Sequence, residues 1–436
     1  MSGRSTGAIE AVAHSRRDGV ILFLNASQIA TCAGPGRARR GAEMADAGVQ
    51  RGWAIAAEGE RIVAAGPQEE IRRDYPDAEE VDCTGGVIVP GLVDSHTHAV
   101  FGRARYEEQE MRAAGASYMD IARKGGGIHA SVADLRTRTE DELFTLTLGR
   151  IRRLASYGST TVEVKSGYGL SLDDELKSLR VIARVAEASP VRIVATWLGA
   201  HEIPLEFRER PRGRAEYVAL LIEEILPRVR DERLASFADV FCEPGVFTLD
   251  ETRSILRASR NAGLRIKLHA DELEPVGGAE LAVELAAVSA DHLAAISDAG
   301  IRALGGSATI ATLLPGTMLF LGRSKQAPAR ALIDAGAAVA LATDFNPGTS
   351  PTVNFPLILT LGVSQLRMSA SEALVAATVN GAAALGLANT TGQVTSGYSA
   401  DLALFEAEDI REIPYWYGDR RCMETWARGK PCLPRA

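Results

Sequence analysis

The stretch "VIVPGLVDSHTHAVFG", residues 87–102, decides how the rest of the chain is read. Its first half is an apolar, branched run, the pattern of a strand buried on both faces. It then places His96 and His98 one residue apart. A strand projects alternate side chains to one face, so both imidazoles point the same way, as a single ion requires. The pair alone is weak. Its weight depends on what recurs farther along the chain.

Buried runs of the same kind do recur. "TTVEVKSGYG", "VRIVATWLGAH", "ADVFCEPGVF", "LRIKLHADE", "AAVSADHL", "ATIATLLPG" and "AVALATDFNPG" follow, eight with the first. Between them lie amphipathic segments such as 172–188 and 214–231, with apolar residues at helical spacing. Strand–helix units in this number predict an α/β fold, a (β/α)8 barrel over 87–387. Residues 19–86 and 388–436 carry shorter strands broken by turns. They predict a small β-sandwich domain formed from both chain termini. The length of 436 residues suits a large domain with such a satellite.

A net charge of −8 argues against nucleic acid or an anionic membrane as partner. Five cysteines without a C-x-x-C pair suit a reducing cytoplasm. The polar start of the chain lacks the apolar core of a secretory signal. No apolar run approaches the ~20 residues of a membrane span. The expectation is a cytoplasmic protein whose residues 1–18 form a disordered extension. "GPGRARRGAE" (34–43) reads as a solvated loop.

The chemistry lies in the histidines. Of seven, His96, His98, His201, His269 and His292 fall at the carboxyl ends of expected strands one, three, five and six. Strand eight ends in Asp344. In a barrel of this type the carboxyl ends converge on the active site. His96, His98, His269 and Asp344 can offer three imidazoles and a carboxylate to one ion, with water completing a catalytic shell. Such an ion acidifies its water and polarises a carbonyl. Asp344 is a candidate acceptor of the water's proton; the alternative is a turn cap.

Glu272 follows His269 by three residues. If the chain turns helical there, the two share a face, and Glu272 is a general base or substrate ligand rather than a helix-start carboxylate. His201 and His292 read as donors to an oxyanion or to the substrate, or else as structural histidines. Arg105, in the loop after strand one, can clamp a carboxylate, with solvent exposure the default alternative for a loop arginine, and Tyr168 after strand two can join it. "KGGGIH" (124–129) is a lid or a plain turn, and Tyr118 packs unless its loop covers the barrel mouth.

With "DSHTH", "KLHADE" and "ATDFNPGT" in hand, the chain resembles the amidohydrolase superfamily, and within it the imidazolonepropionase family. "PGLVDSHTHAVFG", "GASYMDIARKGGGI" and "TDFNPGT" stand in family order, and the likeness covers nearly the whole chain. The resemblance implies one metal ion, zinc or iron, on His96, His98, His269 and Asp344. It implies substrate contacts from Arg105, Tyr168, His201, Glu272 and Thr349, with Asn346 and Gly348 near the product. Glu272 and His292 are the implied partners in water activation and proton transfer, with Asp344 sharing the catalytic role.

Lys165, on strand two, is not expected to serve as a carboxylated bridge between two metals, and the stretch after His201 departs from the family pattern. The implied reaction opens 4-imidazolone-5-propanoate to N-formimidoyl-L-glutamate in histidine degradation. The partner is then a small molecule with a carboxylate tail; a homodimer is common for large barrels of this kind, and the sequence does not fix the oligomeric state. A ring deaminase needs no carboxylate clamp, and a non-catalytic scaffold would have lost ligands that this chain keeps.

Overall fold

The computed structural model describes residues 19–116, 120 and 125–433. The expected N-terminal extension, Tyr118 and the first residue of the 124–129 loop lie outside them. Eight parallel strands pair in chain order: Leu92–Asp94, Ser159–Lys165, Arg192–Ala200, Phe237–Cys242, Arg265–Ala270, Ser289–His292, Ile310–Leu313 and Val339–Leu341. They are buried almost throughout, as their apolar runs require when side chains fill the barrel on one face and helices cover the other.

The sheet closes through the residues that matter most. Thr97 bridges Phe345 in parallel, the His98 N–H donates to the Phe345 carbonyl at 2.8 Å, and the Asp344 N–H donates to the His96 carbonyl at 3.0 Å. Below this seam the buried Asp94 carboxylate accepts from the Thr343 N–H at 3.0 Å and its hydroxyl at 2.7 Å. The "DSHTH" and "ATDF" segments are therefore hydrogen-bonded neighbours, although about 250 residues separate them.

The helices begin where the sequence marks them. Thr139 and Glu142 form a capping box ahead of Glu140–Ala155, and Thr248 and Glu251 another ahead of Leu249–Asn261. Each box satisfies backbone N–H groups that the first turn leaves unpaired.

The chain ends form two further sheets. One contains Val20–Leu24, Trp53–Glu58, Arg61–Pro67 and Glu79–Asp82. The other contains Gln28–Ala30, Val49–Gln50, Gly86–Pro90, Leu402–Glu406, Cys422–Ala427 and Lys430–Pro431. Phe23, Ile55 and Val81 from the first pack against Ile29, Ile88, Leu404 and Trp426 from the second. That shared apolar layer makes a sandwich.

One boundary shifts. Gly86–Pro90, expected to open the barrel, pairs antiparallel with Leu402–Glu406 and belongs to the sandwich. The barrel begins only after Gly91, where any Cβ would collide with the Thr160 side chain. An unbroken apolar run does not reveal that its two halves join different sheets. No helix among the described residues is long and apolar enough to cross a membrane.

Candidate active site

At the carboxyl end of the barrel the expected ligands converge. His96 Nε2 lies 3.3 Å from His98 Nε2, and Asp344 Oδ1 lies 3.6 and 3.5 Å from these two atoms. His96, His269 and His292 likewise bring ring nitrogens within 4.8 Å of one another. The His269 ring centroid is 4.5 Å from that of His96. All of these side chains are buried.

The far side of two rings is held by carboxylates. His96 Nδ1 is hydrogen-bonded to Asp291 Oδ2 at 2.7 Å, and His269 Nδ1 faces Asp239 Oδ2 at 2.9 Å. A carboxylate accepts, so the hydrogen of His96 sits on Nδ1 and its Nε2 lone pair turns toward the common centre. Burial, with cationic neighbours, holds His96 and His98 well below the ordinary imidazole range, in the neutral form a metal needs. His98 Nδ1 is buried without a hydrogen-bond partner, so its hydrogen can reside there and leave the Nε2 lone pair facing the same centre. His269 Nε2 is also buried without a hydrogen-bond partner. The donor set fits a metal ion.

Asp344 is further shaped by Thr317, whose hydroxyl donates to Oδ2 at 2.5 Å. Burial raises its carboxyl to about 6, with the Thr317 hydrogen bond opposing. Asp271, His292 and Asp344 all adopt positive φ, at 49°, 79° and 52°. Backbone in this region costs non-glycine residues on the order of 1 kcal/mol or more and gathers at functional sites. Here His292 and Asp344 face the cluster, while Asp271 turns its carboxylate to the Gly277, Gly278 and Ala279 N–H groups.

The cluster opens into a cavity of about 780 Å³ that also exposes Arg105, Tyr168, His201, Glu272, His292, Asn346 and Thr349. His201 donates from Nδ1 to the Gly167 carbonyl at 2.9 Å and stacks on His98 at 5.0 Å. Burial lowers it to about 3. A neutral ring with Nδ1 so engaged has only a lone pair at Nε2. It faces the cavity as an acceptor, which fits a contact to the substrate better than donation to an oxyanion, the two roles read from the sequence. Burial keeps the Tyr168 hydroxyl protonated, well above its usual range.

The segment after His269 does not turn helical. It bends at Asp271, and the Glu243 carboxylate accepts from the Glu272 and Leu273 N–H groups at 2.6 and 3.0 Å. This brings Glu272 Oε2 to 3.5 Å from His292 Nδ1. Burial and the nearby Asp344 and Glu243 carboxylates push Glu272 well above the carboxyl range, while burial pulls His292 down. Both shifts favour the uncharged form of each partner.

Arg105 is not an exposed loop residue. Its Nε lies 3.2 Å from Glu108 Oε1, and its Nη1 donates to Ser131 Oγ at 3.2 Å. Gly348 lies flat against its guanidinium, where a Cβ would collide, so this glycine supplies space. The Asn346 amide is spent within its own turn: Oδ1 accepts from the Gly348 and Thr349 N–H groups, and Nδ2 donates to the Asp344 carbonyl at 2.7 Å. It shapes the turn that carries Asp344 and Thr349. Lys165 Nζ lies 2.8 Å from both Glu163 and Asp239 and is engaged in these ion pairs.

Glu108, Ser131, Asp239, Asp291 and Thr317 went unread in the sequence. For two of them a signal exists: Asp239 and Asp291 are charges inside otherwise apolar strand runs, and such charges are rarely buried unpaired. The segment after His201 walls a neighbouring cavity of about 840 Å³ together with His129. Arg208 there pairs with Glu202 at 2.7 Å.

The profile of the amidohydrolase family matches residues 87–431. The imidazolonepropionase of Geobacillus kaustophilus is 46% identical over 415 residues, 94% of this chain and 97% of its own. The chain belongs to the imidazolonepropionase family of amidohydrolases. The imidazolonepropionase of Bacillus velezensis, 44% identical, spans 95% of this chain and 97% of its own. The imidazolonepropionase match therefore takes in sandwich as well as barrel.

In three dimensions the chain is similar to a zinc-bound adenosine deaminase from Xanthomonas campestris, with a TM-score of 0.70 at 19% identity, covering 95% of this chain and 93% of that one. It is also similar to guanine deaminase of E. coli, with a TM-score of 0.70 at 16% identity and coverage of 96% and 99%. At that identity the likeness is one of fold. As an amidohydrolase of this family, the protein is a metal-dependent hydrolase acting on carbon–nitrogen bonds.

Proposed function

We propose that the protein hydrolyses the ring amide of 4-imidazolone-5-propanoate to N-formimidoyl-L-glutamate, a step of histidine degradation, with His96, His98, His269 and Asp344 as the ligands of one metal ion. Three imidazole nitrogens and a carboxylate oxygen suit zinc or iron. The ion, when bound, supplies an acidified water and a positive charge near the scissile carbonyl.

The observation that carries the substrate assignment is a buried arginine in the same cavity as the histidine cluster. Arg105, with Tyr168 and Thr349 beside it, holds the propanoate carboxylate and orients the ring, which lowers the entropic part of the barrier. His201 Nε2 accepts from a ring N–H. Neutral His292 takes the proton as water adds to the ring carbonyl. Protonated Glu272 delivers one to the ring nitrogen as the carbon–nitrogen bond breaks. Asp344 Oδ2, tied to Thr317, keeps Oδ1 turned toward the histidines.

The test is an assay with freshly generated imidazolone propanoate, following loss of its ultraviolet absorbance with and without a chelator. Chelator-sensitive turnover is expected, with about one zinc or iron per chain by elemental analysis. Metal-loaded protein that leaves the absorbance unchanged would refute the assignment.

A further inference from the structure

The segment Ser166–Leu170 has no regular secondary structure, yet two groups of the cavity depend on it. Tyr168 is carried by it. The Gly167 carbonyl fixes His201 by accepting from Nδ1 at 2.9 Å. The Ser166 N–H donates to the Thr196 carbonyl of the strand Arg192–Ala200 at 3.0 Å, and beyond it the segment's N–H groups find no strand or helix to join. Those of Gly167, Gly169 and Leu170 converge instead on a single atom, Glu175 Oε1, at 3.2, 2.9 and 3.0 Å. Glu175 is fully buried, near the start of the helix Leu172–Ala188.

The path of the segment leaves little alternative. Gly167 has φ of 106°, and a Cβ there would meet the Leu198 carbonyl at 2.9 Å and His201 Nδ1 at 3.0 Å. A Cβ on Gly169 would meet the Asp174 carbonyl carbon at 2.5 Å. Leu170 turns through φ of 52° to enter the helix. The backbone is thus pressed between His201 and the helix start, and one carboxylate oxygen satisfies donors that burial would otherwise leave unpaired.

We propose that Glu175 is a positioning residue that sets Tyr168 and His201 as one unit against the substrate, acting through the Gly167–Leu170 backbone. Glu175 touches neither the substrate nor a candidate metal ligand. The inference rests on the reading of Tyr168 and His201 as substrate contacts.

The test is a double-mutant cycle on the metal-loaded enzyme, pairing Glu175→Ala with Tyr168→Phe and with His201→Asn. Glu175→Ala is expected to lower kcat/KM about tenfold or more, chiefly through KM and with metal content retained, since three buried donors lose their acceptor. Glu175→Gln keeps an oxygen in place and should recover most of that loss. In the double variants the losses should fall well short of multiplying, because the second group is already displaced. Should Glu175→Ala fail to fold, Glu175→Gln carries the same cycle with a smaller loss that again does not multiply. Single losses that multiply in full, or an unchanged kcat/KM in Glu175→Ala, would overturn the proposal. Tyr168→Phe and His201→Asn variants with undiminished kcat/KM would instead remove the substrate reading, and the proposal with it.

Discussion

Arg105 shows what a residue's surroundings add to its identity. A loop arginine is solvated by default, yet this one is buried between Glu108, Ser131 and Gly348. Fixing the guanidinium beforehand removes rotamer entropy that a free side chain would lose on binding a carboxylate. Arg105→Ala should therefore raise KM for imidazolone propanoate by about 10- to 100-fold, the range of a charged hydrogen bond, with a smaller change in kcat. Steady-state kinetics decide this, and an unchanged KM would remove Arg105 from the site. Gly348→Ala should act in the same direction by a different route, because its Cβ occupies the guanidinium's place. Equal KM values for Gly348→Ala and the parent would mean that Arg105 shifts freely.

Elements were legible to the extent that their signals are local. The eight apolar runs became eight parallel strands because a strand covered on both faces has no room for alternation. Thr139 with Glu142, and Thr248 with Glu251, start helices through bonds that lie within three residues and so are local in the sequence. Thr248→Ala should cost about 1 kcal/mol of stability, read by chemical denaturation, without altering kcat/KM; a loss of activity at unchanged stability would contradict the capping role. The bend after His269 escaped such reading. Its course depends on the Glu243 carboxylate, which reaches the Glu272 N–H from another strand.

At the scale of the molecule, the barrel is closed where its chemistry sits. Asp94→Ala would leave the Thr343 N–H and hydroxyl buried without their acceptor, at a cost of about 2–4 kcal/mol, visible as a lower denaturation midpoint. A midpoint within error of the parent would show that the seam does not depend on Asp94. Metal removal belongs to this scale too, because an ion bound only by the folded chain stabilises it in proportion to its affinity. Chelated protein should melt at a lower temperature and regain the lost degrees when zinc or iron is restored. Identical melting curves would argue against the proposed ligand set.

The amino-acid sequence by itself determined the barrel, the presence of a second β-domain and the cluster of histidines with Asp344. Each of these is written in the order and spacing of apolar and polar residues, and strand geometry converts spacing directly into facing. Tertiary structure decided the rest. It assigned Gly86–Pro90 to the sandwich through pairing with residues more than 300 positions away. It made His201 an acceptor through the Gly167 carbonyl, buried Arg105 against Glu108 and Ser131, and placed Asp291 and Asp239 behind the imidazoles of His96 and His269. A hydrogen-bond partner distant in the chain leaves no trace in local pattern, because its identity depends on which segments the closed barrel brings together.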